Sequence, residues 1–263
     1  MTDILLHERQ AGIVRLTLND PKTRNSLSEA MMAALVLALD DLRRDESARV
    51  IVIAADGPAF CSGHNLKEIT AHRQDGDRGA AYFTKLMAQC ATLMQAIVHH
   101  PLPVIAEIQA VASAAGCQLV ASCDLAIAAE PARFATPGVN IGLFCSTPMV
   151  ALSRNVSPKQ AMEMLLTGDL IDTAEAQRIG LINRVVPSQL LRRSVDELAA
   201  KIAGKSKAVT KIGKEAFYRQ LDMTLSDAYD YTAQVMVENL LIQDSKEGIG
   251  AFIDKRRPKW EDR

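Results

Sequence analysis

Pro103-Val-Ile-Ala-Glu-Ile-Gln-Ala-Val-Ala-Ser-Ala-Ala-Gly-Cys-Gln-Leu-Val-Ala-Ser-Cys-Asp-Leu-Ala-Ile-Ala128 is the stretch on which the fold turns. Residues 104–108, apolar but for Glu107, read as a buried strand. Small residues follow at 110–118, then a helical pattern at 114–122 and a second buried strand at 124–128. Strand, small-residue turn, helix and strand in direct succession predict an α/β arrangement with parallel strands.

The same grammar extends outward. Arg49-Val-Ile-Val-Ile-Ala54 reads as a buried strand closed by the turn Asp56-Gly57-Pro58. Before it, residues 13–18 alternate as a half-buried strand. Ser28 is placed to cap a helix over residues 29–43. Residues 80–99 predict a long helix ended by Pro101 and Pro103. After Pro148 the pattern turns helical: 158–166, 173–179, 188–203, 207–220 and 224–243, with 183–186 the only strand-like piece. The division expected is a core over residues 1–195 and a helical region over 196–263. The units starting at Val50, Val104 and Leu125 are unequally spaced, so no fixed repeat period applies.

With 263 residues, one or two domains are expected. The 30 basic and 31 acidic residues give a net charge of −1, which removes the global electrostatic argument for nucleic acid or an anionic membrane. Five irregularly spaced cysteines without a C-x-x-C argue against a disulfide framework or a zinc site, and no metal is expected. A reducing, cytoplasmic setting follows. Residues 1–16 carry Asp3, Glu8 and Arg9 and no apolar block of the signal-peptide kind. The most apolar stretch, 108–123, is shorter than the roughly 20 residues that span a bilayer. The lysines at 201, 205, 207, 211 and 214 lack interleaved aromatic residues and read as a solvated face rather than an RNA-binding surface.

Two segments are placed for chemistry: Ala59-Phe-Cys-Ser-Gly-His-Asn-Leu-Lys-Glu68 and Ala110-Val-Ala-Ser-Ala-Ala-Gly-Cys-Gln118. Each sets small residues between a buried strand and a helix start. Small residues admit a ligand close to the backbone, and helix N-termini leave N–H groups unpaired. Two such turns on neighbouring strands can aim two donors at one carbonyl oxygen, an oxyanion hole. Turns of this kind also serve packing alone, and spacing does not choose between the two.

The chain resembles the enoyl-CoA hydratase/isomerase, or crotonase, family from about residue 13 to 260. The resemblance rests on Arg24-Asn-Ser-Leu27, the 59–68 segment, Pro103-Val-Ile-Ala106, Ala114-Ala-Gly-Cys117, Ser122-Cys-Asp-Leu-Ala-Ile-Ala128, Thr167-Gly168, Ala174-Glu-Ala176, Gly180-Leu-Ile-Asn-Arg-Val-Val-Pro187 and Gly248-Ile-Gly-Ala-Phe-Ile-Asp-Lys-Arg-Arg-Pro-Lys-Trp260. It implies a spiral of ββα units with a helical C-terminal region used in forming a trimer or hexamer. It also implies an acyl-CoA thioester as ligand, with coenzyme A part of the substrate and no separate cofactor.

By motif position, the resemblance gives the oxyanion donors as the backbone N–H groups of His64 and Ala115. It gives substrate contacts to Lys22, Arg24, Ser62, Leu66, Gly116 and Asn140, and to Phe252 and Lys255 from a neighbouring subunit. Two positions depart from the family's hydratases, which carry glutamates where this chain has Gln118 and Gly138. Hydration needs one group to activate water and another to move a proton. Glutamine does not titrate and glycine has no side chain, so neither the two-glutamate hydratase mechanism nor the one-glutamate double-bond isomerase mechanism, which uses the second position, is expected here. Loss of CO2 from a malonyl-type thioester is the alternative chemistry, since it makes an enolate without a base; His64 would then help place a carboxylate or a proton. An acyl-CoA binder with impaired catalysis and a regulatory role is a second alternative, and an RNA binder a third. Cys61 beside His64 raises a thiol nucleophile, and Asn140, Cys145 and Ser146 are placed to line the acyl pocket.

Overall fold

A computed structural model describes residues 3–263. Met1 and Thr2, at the head of the 1–16 segment, lie outside the described residues. The elements run β1 (Leu5–Gln10), β2 (Ile13–Leu18), α1 (Glu29–Arg44), β3 (Val50–Ala55), β4 (Ala59–Cys61), α2 (Leu66–His72), α3 (Ala80–Val98), β5 (Val104–Ile108), β6 (Val111–Ser113) and α4 (Ala115–Ser122). They continue with β7 (Leu125–Ala129), β8 (Arg133–Ala135), a 3-10 turn (Pro137–Ile141), α5 (Pro148–Leu152), α6 (Pro158–Thr167), β9 (Ile171–Asp172), α7 (Thr173–Arg178) and β10 (Arg184–Val186). Four helices close the chain: α8 (Leu191–Ala203), α9 (Lys207–Gln220), α10 (Leu225–Leu241) and α11 (Gln243–Ile253).

The strands form a six-stranded sheet ordered β1-β2-β3-β5-β7-β10 and a four-stranded sheet ordered β4-β6-β8-β9. Each of the pairs β3/β4, β5/β6 and β7/β8 sends its first strand to the large sheet and its second to the small one. The expected parallel arrangement holds for most neighbours, but β1 runs antiparallel to β2 and β9 to β8, so both sheets are mixed. The small-sheet strands β4, β6 and β8 are three residues each. Three residues are too few to show alternation, so the sequence reading places β4 and β6 within small-residue turns and does not mark β8.

The continuous apolar run in β3 is explained by its two covered faces. Val50 and Val52 pack with Leu191, Val195 and Ala199 of α8, while Ile51 and Ile53 point into the main core with α1 and α3. Side chains two apart share a face, so a strand sandwiched by helices has no polar side. Ser28 caps α1 as expected, its Oγ accepting from the Met31 N–H at 3.1 Å. The division at residue 195 passes through α8.

One expected helix, 224–243, is broken at Ile242, whose backbone is extended. Asp244 explains the break. Its carboxylate is buried and accepts the Glu261 and Asp262 N–H groups at 2.7 and 2.9 Å, tying the C-terminal tail to the start of α11. That demand is long-range. The helix α11 itself was not read, since Gly248 and Gly250 each lower helix propensity by about 1 kcal/mol. Gly248 is required by packing: a Cβ there would lie 3.1 Å from the Trp260 ring.

The lysine stretch is not uniformly solvated, which corrects the reading above. Lys207 Nζ donates to the Asp45 and Glu46 carbonyls, and Lys214 is buried against Asp124. His100, 1% exposed, is also inward. Its Nε2–H donates to Leu39 O at 2.9 Å and its Nδ1 accepts from the Leu102 N–H at 3.0 Å, which fixes a neutral ring. Burial pushes its pKa down from 6.5 to about 4. An unfolded histidine takes up a proton near pH 6.5, whereas the folded one refuses it until about pH 4. The stability this ring contributes is therefore full above about 6.5 and falls by about 3 kcal/mol as pH drops toward 4. Urea unfolding across that window should show this loss, and His100→Gln should flatten it; an unchanged slope in the variant refutes the assignment.

Candidate functional site

Two turns at the ends of β4 and β6 meet. The first, residues 62–65, is welded to the loop before α1. Asn25, fully buried, accepts from the Asp20 N–H and donates to the Asp56 and Ala59 carbonyls at 2.7 and 2.8 Å. The Ser62 N–H reaches Arg24 O at 3.1 Å, and the Leu27 N–H reaches Gly63 O at 2.8 Å. The second turn is set by Ala114, at φ 51° and ψ −117°, a backbone region that a Cβ disfavours. Its N–H donates to Ala135 O at 2.9 Å and its carbonyl accepts from the Gln118 N–H at 3.0 Å, so α4 starts at Ala115.

Two glycines permit the contact. A Cβ on Gly63, at φ +91°, would sit 3.0 Å from Ala114 Cβ and 3.3 Å from Ala115 N. A Cβ on Gly116 would sit 2.1 Å from Cys61 O. The first residues of α4 thus lie directly on the end of β4. Among the described residues, neither the His64 N–H nor the Ala115 N–H donates a hydrogen bond. Ala115 is the first residue of its helix, where an N–H has no partner within the helix.

The His64 ring is oriented by the same loop. Its Nδ1 lies 3.3 Å from Leu27 O. A carbonyl only accepts, so Nδ1 carries the proton and Nε2 is the bare acceptor. That Nε2 is buried without a partner. Burial holds the ring's pKa below 6.5, outweighing the opposing effects of Leu27 O and Glu68. A neutral ring with Nδ1–H engaged has no donor left for a carboxylate, so the expected carboxylate-placing role of His64 does not fit this arrangement.

Gln118 is buried in α4, where its Oε1 accepts from the Cys90 thiol across to α3 at 3.8 Å. Gly138 is also buried, and its φ is not left-handed, so what it supplies is space. A Cβ there would lie 2.7 Å from Leu143 O and 2.9 Å from Cys145 Sγ. The loop after the 3-10 turn has closed over the place a side chain at 138 would take, with the Leu143 N–H bonded to Gly138 O at 2.9 Å.

All five cysteines are free and buried. Burial pushes the Cys61 and Cys117 thiols up to about 12 and Cys90 to about 11, and raises Cys123 and Cys145. A thiol that far from ionising is no nucleophile at neutral pH, which removes the Cys61 option.

The other expected contacts are spread more widely. Lys22 and Arg24 are exposed beside the welded loop, and Leu66 opens α2 at 50% exposure. Ser62 is turned inward, its Oγ donating to Thr23 O at 3.2 Å. Asn140 faces the end of α6, with Nδ2 3.5 Å from Gly168 O, and Ser146 is exposed. Phe252, 85% exposed, and Lys255 lie at the end of α11, which packs on α9 and α10. Sequence reading missed the left-handed Ala114 and the Leu27 carbonyl. No signal marked Ala114, because alanine is not the residue such a backbone selects.

The family model described as "Enoyl-CoA hydratase/isomerase" matches residues 8–263. "Enoyl-CoA hydratase domain-containing protein 3, mitochondrial" of Rattus norvegicus is 48% identical over 252 residues, 96% of this chain and 82% of that protein. Its Homo sapiens counterpart is 47% identical over 249 residues, 95% of this chain and 80% of that one. The crystal structure of an enoyl-CoA hydratase from Mycobacterium smegmatis superposes with a TM-score of 0.94 at 47% identity, covering 98% of this chain and 99% of that one. That of human enoyl-CoA hydratase domain-containing protein 3 gives 0.93 at 44% identity, covering 98% and 100%.

Proposed function

Since the chain belongs to the enoyl-CoA hydratase/isomerase family, with the crotonase fold and the acyl-CoA ligands that the family implies, we propose that it binds the thioester oxygen between the His64 and Ala115 N–H groups and stabilises the enolate. The observation that supports this is the contact of the two turns, made through Gly63 and Gly116, with both N–H groups unpaired. In such a site each donor contributes about 3–4 kcal/mol to the developing oxyanion. Lys22, Arg24 and Leu66 are the proposed contacts along the coenzyme A moiety.

Two-glutamate hydration is outside this proposal, because Gln118 and Gly138 supply no carboxylate. A second reading, loss of CO2 from a malonyl-type thioester, is favoured by Gly138: the space beside it is filled by Leu143 and Cys145, and that reaction needs no base to form its enolate. The exposed apolar residues of α10 and α11, among them Leu225, Leu241 and Phe252, support self-association as a trimer or hexamer. Phe252 and Lys255 would then reach a neighbour's ligand. The five free, buried cysteines fit a thiol-reducing compartment, here the cytoplasm.

The test is a thioester panel with the purified protein. Acyl-CoA should bind, crotonyl-CoA hydration should stay below about 1 per second, and light scattering should give three or six chain masses. Absence of acyl-CoA binding refutes the site. Hydration at an ordinary enzymatic rate refutes the exclusion of hydration, and CO2 release from malonyl- or methylmalonyl-CoA decides the second reading.

A further inference from the structure

We propose that the side-chain amide of Gln118 selects the acyl group: with its Oε1 held by the Cys90 thiol, its Nε2 donates to a carbonyl oxygen on C3 of the bound thioester. The ligand class this fits is the 1,3-dicarbonyl thioester, whether the C3 carbonyl is a 3-oxoacyl ketone or a malonyl-type carboxylate. The inference rests on the enolate reading above and adds to it the acyl group that the site prefers.

The argument starts from a donor left over. Gln118 is 5% exposed, and its backbone is fixed on both sides. Its N–H donates to Ala114 O at 3.0 Å, and its carbonyl accepts from Ser122 Oγ at 2.8 Å. The Cys90 sulfur lies 3.8 Å from Oε1. Burial pushes that thiol up to about 11 and keeps it protonated, so the sulfur donates and Oε1 accepts. Nε2 is therefore the free end of the amide. It donates to none of the described residues, yet it is not sealed from the space around it as the His64 Nε2 is. An inward-facing side chain thus keeps one unpaired N–H donor open to a ligand, in a setting where polar groups are ordinarily paired.

Helix geometry puts that donor beside the oxyanion site. Residues three apart are neighbours on a helix surface, so Gln118 shares a face with Ala115. Helical side chains lean toward the N-terminus and cover the turn before their own Cα. For Gln118 that is the first turn of α4, and Ala115 at its start carries one of the two free N–H groups. The same turn presses on the end of β4 through Gly116. Cys90 in turn lies near enough to Cys61, the last residue of β4, to disfavour its ionisation. The amide is thus held over the start of α4, on the side of the strand that leads into the 62–65 turn.

Chemistry then names the group that meets it. The rise from Ala115 to Gln118 is about 4.5 Å, and the side chain leans back across it. With the thioester oxygen between the His64 and Ala115 N–H groups, that reach suits the next carbonyl of the ligand, on C3. A simple acyl or enoyl thioester has only carbon and hydrogen there, so it would cover Nε2 without pairing it. A C3 carbonyl pairs it. A buried donor rejects the ligand that lacks its acceptor by about tenfold or more. Glutamine carries no charge and moves no proton, so its effect is on affinity and orientation.

The experiment measures binding of butanoyl-, 3-oxobutanoyl- and malonyl-CoA to the full-length protein by calorimetry. It compares the wild type with Gln118→Met and Gln118→Glu, and thermal melts check folding. Methionine keeps the length of the side chain without a donor, and ionised glutamate offers acceptors alone. The readout is the Kd for butanoyl-CoA divided by that for each dicarbonyl thioester, a ratio that cancels any general loss of affinity. Expected is a ratio of about ten or more in the wild type, falling to about one in Gln118→Met and lower still in Gln118→Glu. A ratio raised for 3-oxobutanoyl-CoA alone assigns the C3 oxygen to a ketone, and for malonyl-CoA alone to a carboxylate. Equal binding of all three by the wild type overturns selection by Gln118 and leaves the enolate site standing. A wild-type ratio retained in the folded variants also overturns it. Binding of none of the three overturns the site and the selection together.

Discussion

Gly116→Ala should lower stability by about 3 kcal/mol and abolish acyl-CoA binding, although it adds a single methyl group. The added Cβ would lie 2.1 Å from Cys61 O, 2.8 Å from Cys61 C and 2.9 Å from Cys61 Cβ. Two of these atoms are backbone, and Cys61 is paired to Ala112 in the small sheet, so β4 cannot give way cheaply. The helix must move instead, by about an ångström, and overpacking of this kind typically costs about 1–3 kcal/mol or more. The movement swings the Ala115 N–H off the Gly63–His64 turn. A displacement of about 1 Å in a positioned group is enough to cost about 100-fold in rate. Urea unfolding and calorimetry with acyl-CoA measure the two effects. A variant with native stability and native affinity would mean that the close approach of α4 to β4 is not what builds the site.

The large sheet was legible because its central strands are buried on both faces. That burial writes itself as an unbroken apolar run at 50–54 and as one interrupted only by Glu107 at 104–108, and β5 was placed to the residue. The small sheet was not legible. The strands β4, β6 and β8 hold three residues each, too few for alternation, and the buried Phe60 and Phe134 are single large apolar positions without a periodic neighbour. The small residues beside β4 and β6 are what turns also require. The break at Ile242 was hidden for a different reason, since the carboxylate of Asp244 is committed to N–H groups 17 and 18 residues further on.

The site divides in the same way. Gly63 and Gly116 could be read as places of close approach, and the structure gives each a specific neighbour. Ala114 could not be read. A left-handed backbone at alanine is imposed by the Ala135 carbonyl on one side and the start of α4 on the other, neither of which shows in local sequence. At Gly138 the φ is ordinary and the constraint is the Leu143–Cys145 loop, which the neighbouring sequence does not show. The charge of the 201–214 stretch was misjudged because sequence shows where lysines occur, not which of them carbonyls await.

Lys214 carries the second large effect. Its side chain is 8% exposed, and its ammonium donates to Ile97 O, Leu102 O and Asp124 Oδ2 at 3.1, 3.0 and 2.7 Å. Asp124 also accepts from Tyr218 OH at 2.8 Å and from the Val104 N–H at 2.6 Å. Helix α9 is thereby fastened to the mouth of β5 and the start of β7. Burial lowers the pKa of the lysine and Asp124 opposes that, so the ammonium depends on its carboxylate partner. Lys214→Met leaves a largely buried carboxylate, 16% exposed, without its cation, which costs about 3 kcal/mol. At this chain length that is a fall of roughly 10 °C in Tm. Adding Asp124→Asn removes the stranded charge while keeping an acceptor for Val104 and Tyr218, so the double variant should regain most of the loss. Equal instability of the single and double variants would show that the lysine's bonds to the Ile97 and Leu102 carbonyls, not its charge pairing, hold α9 in place.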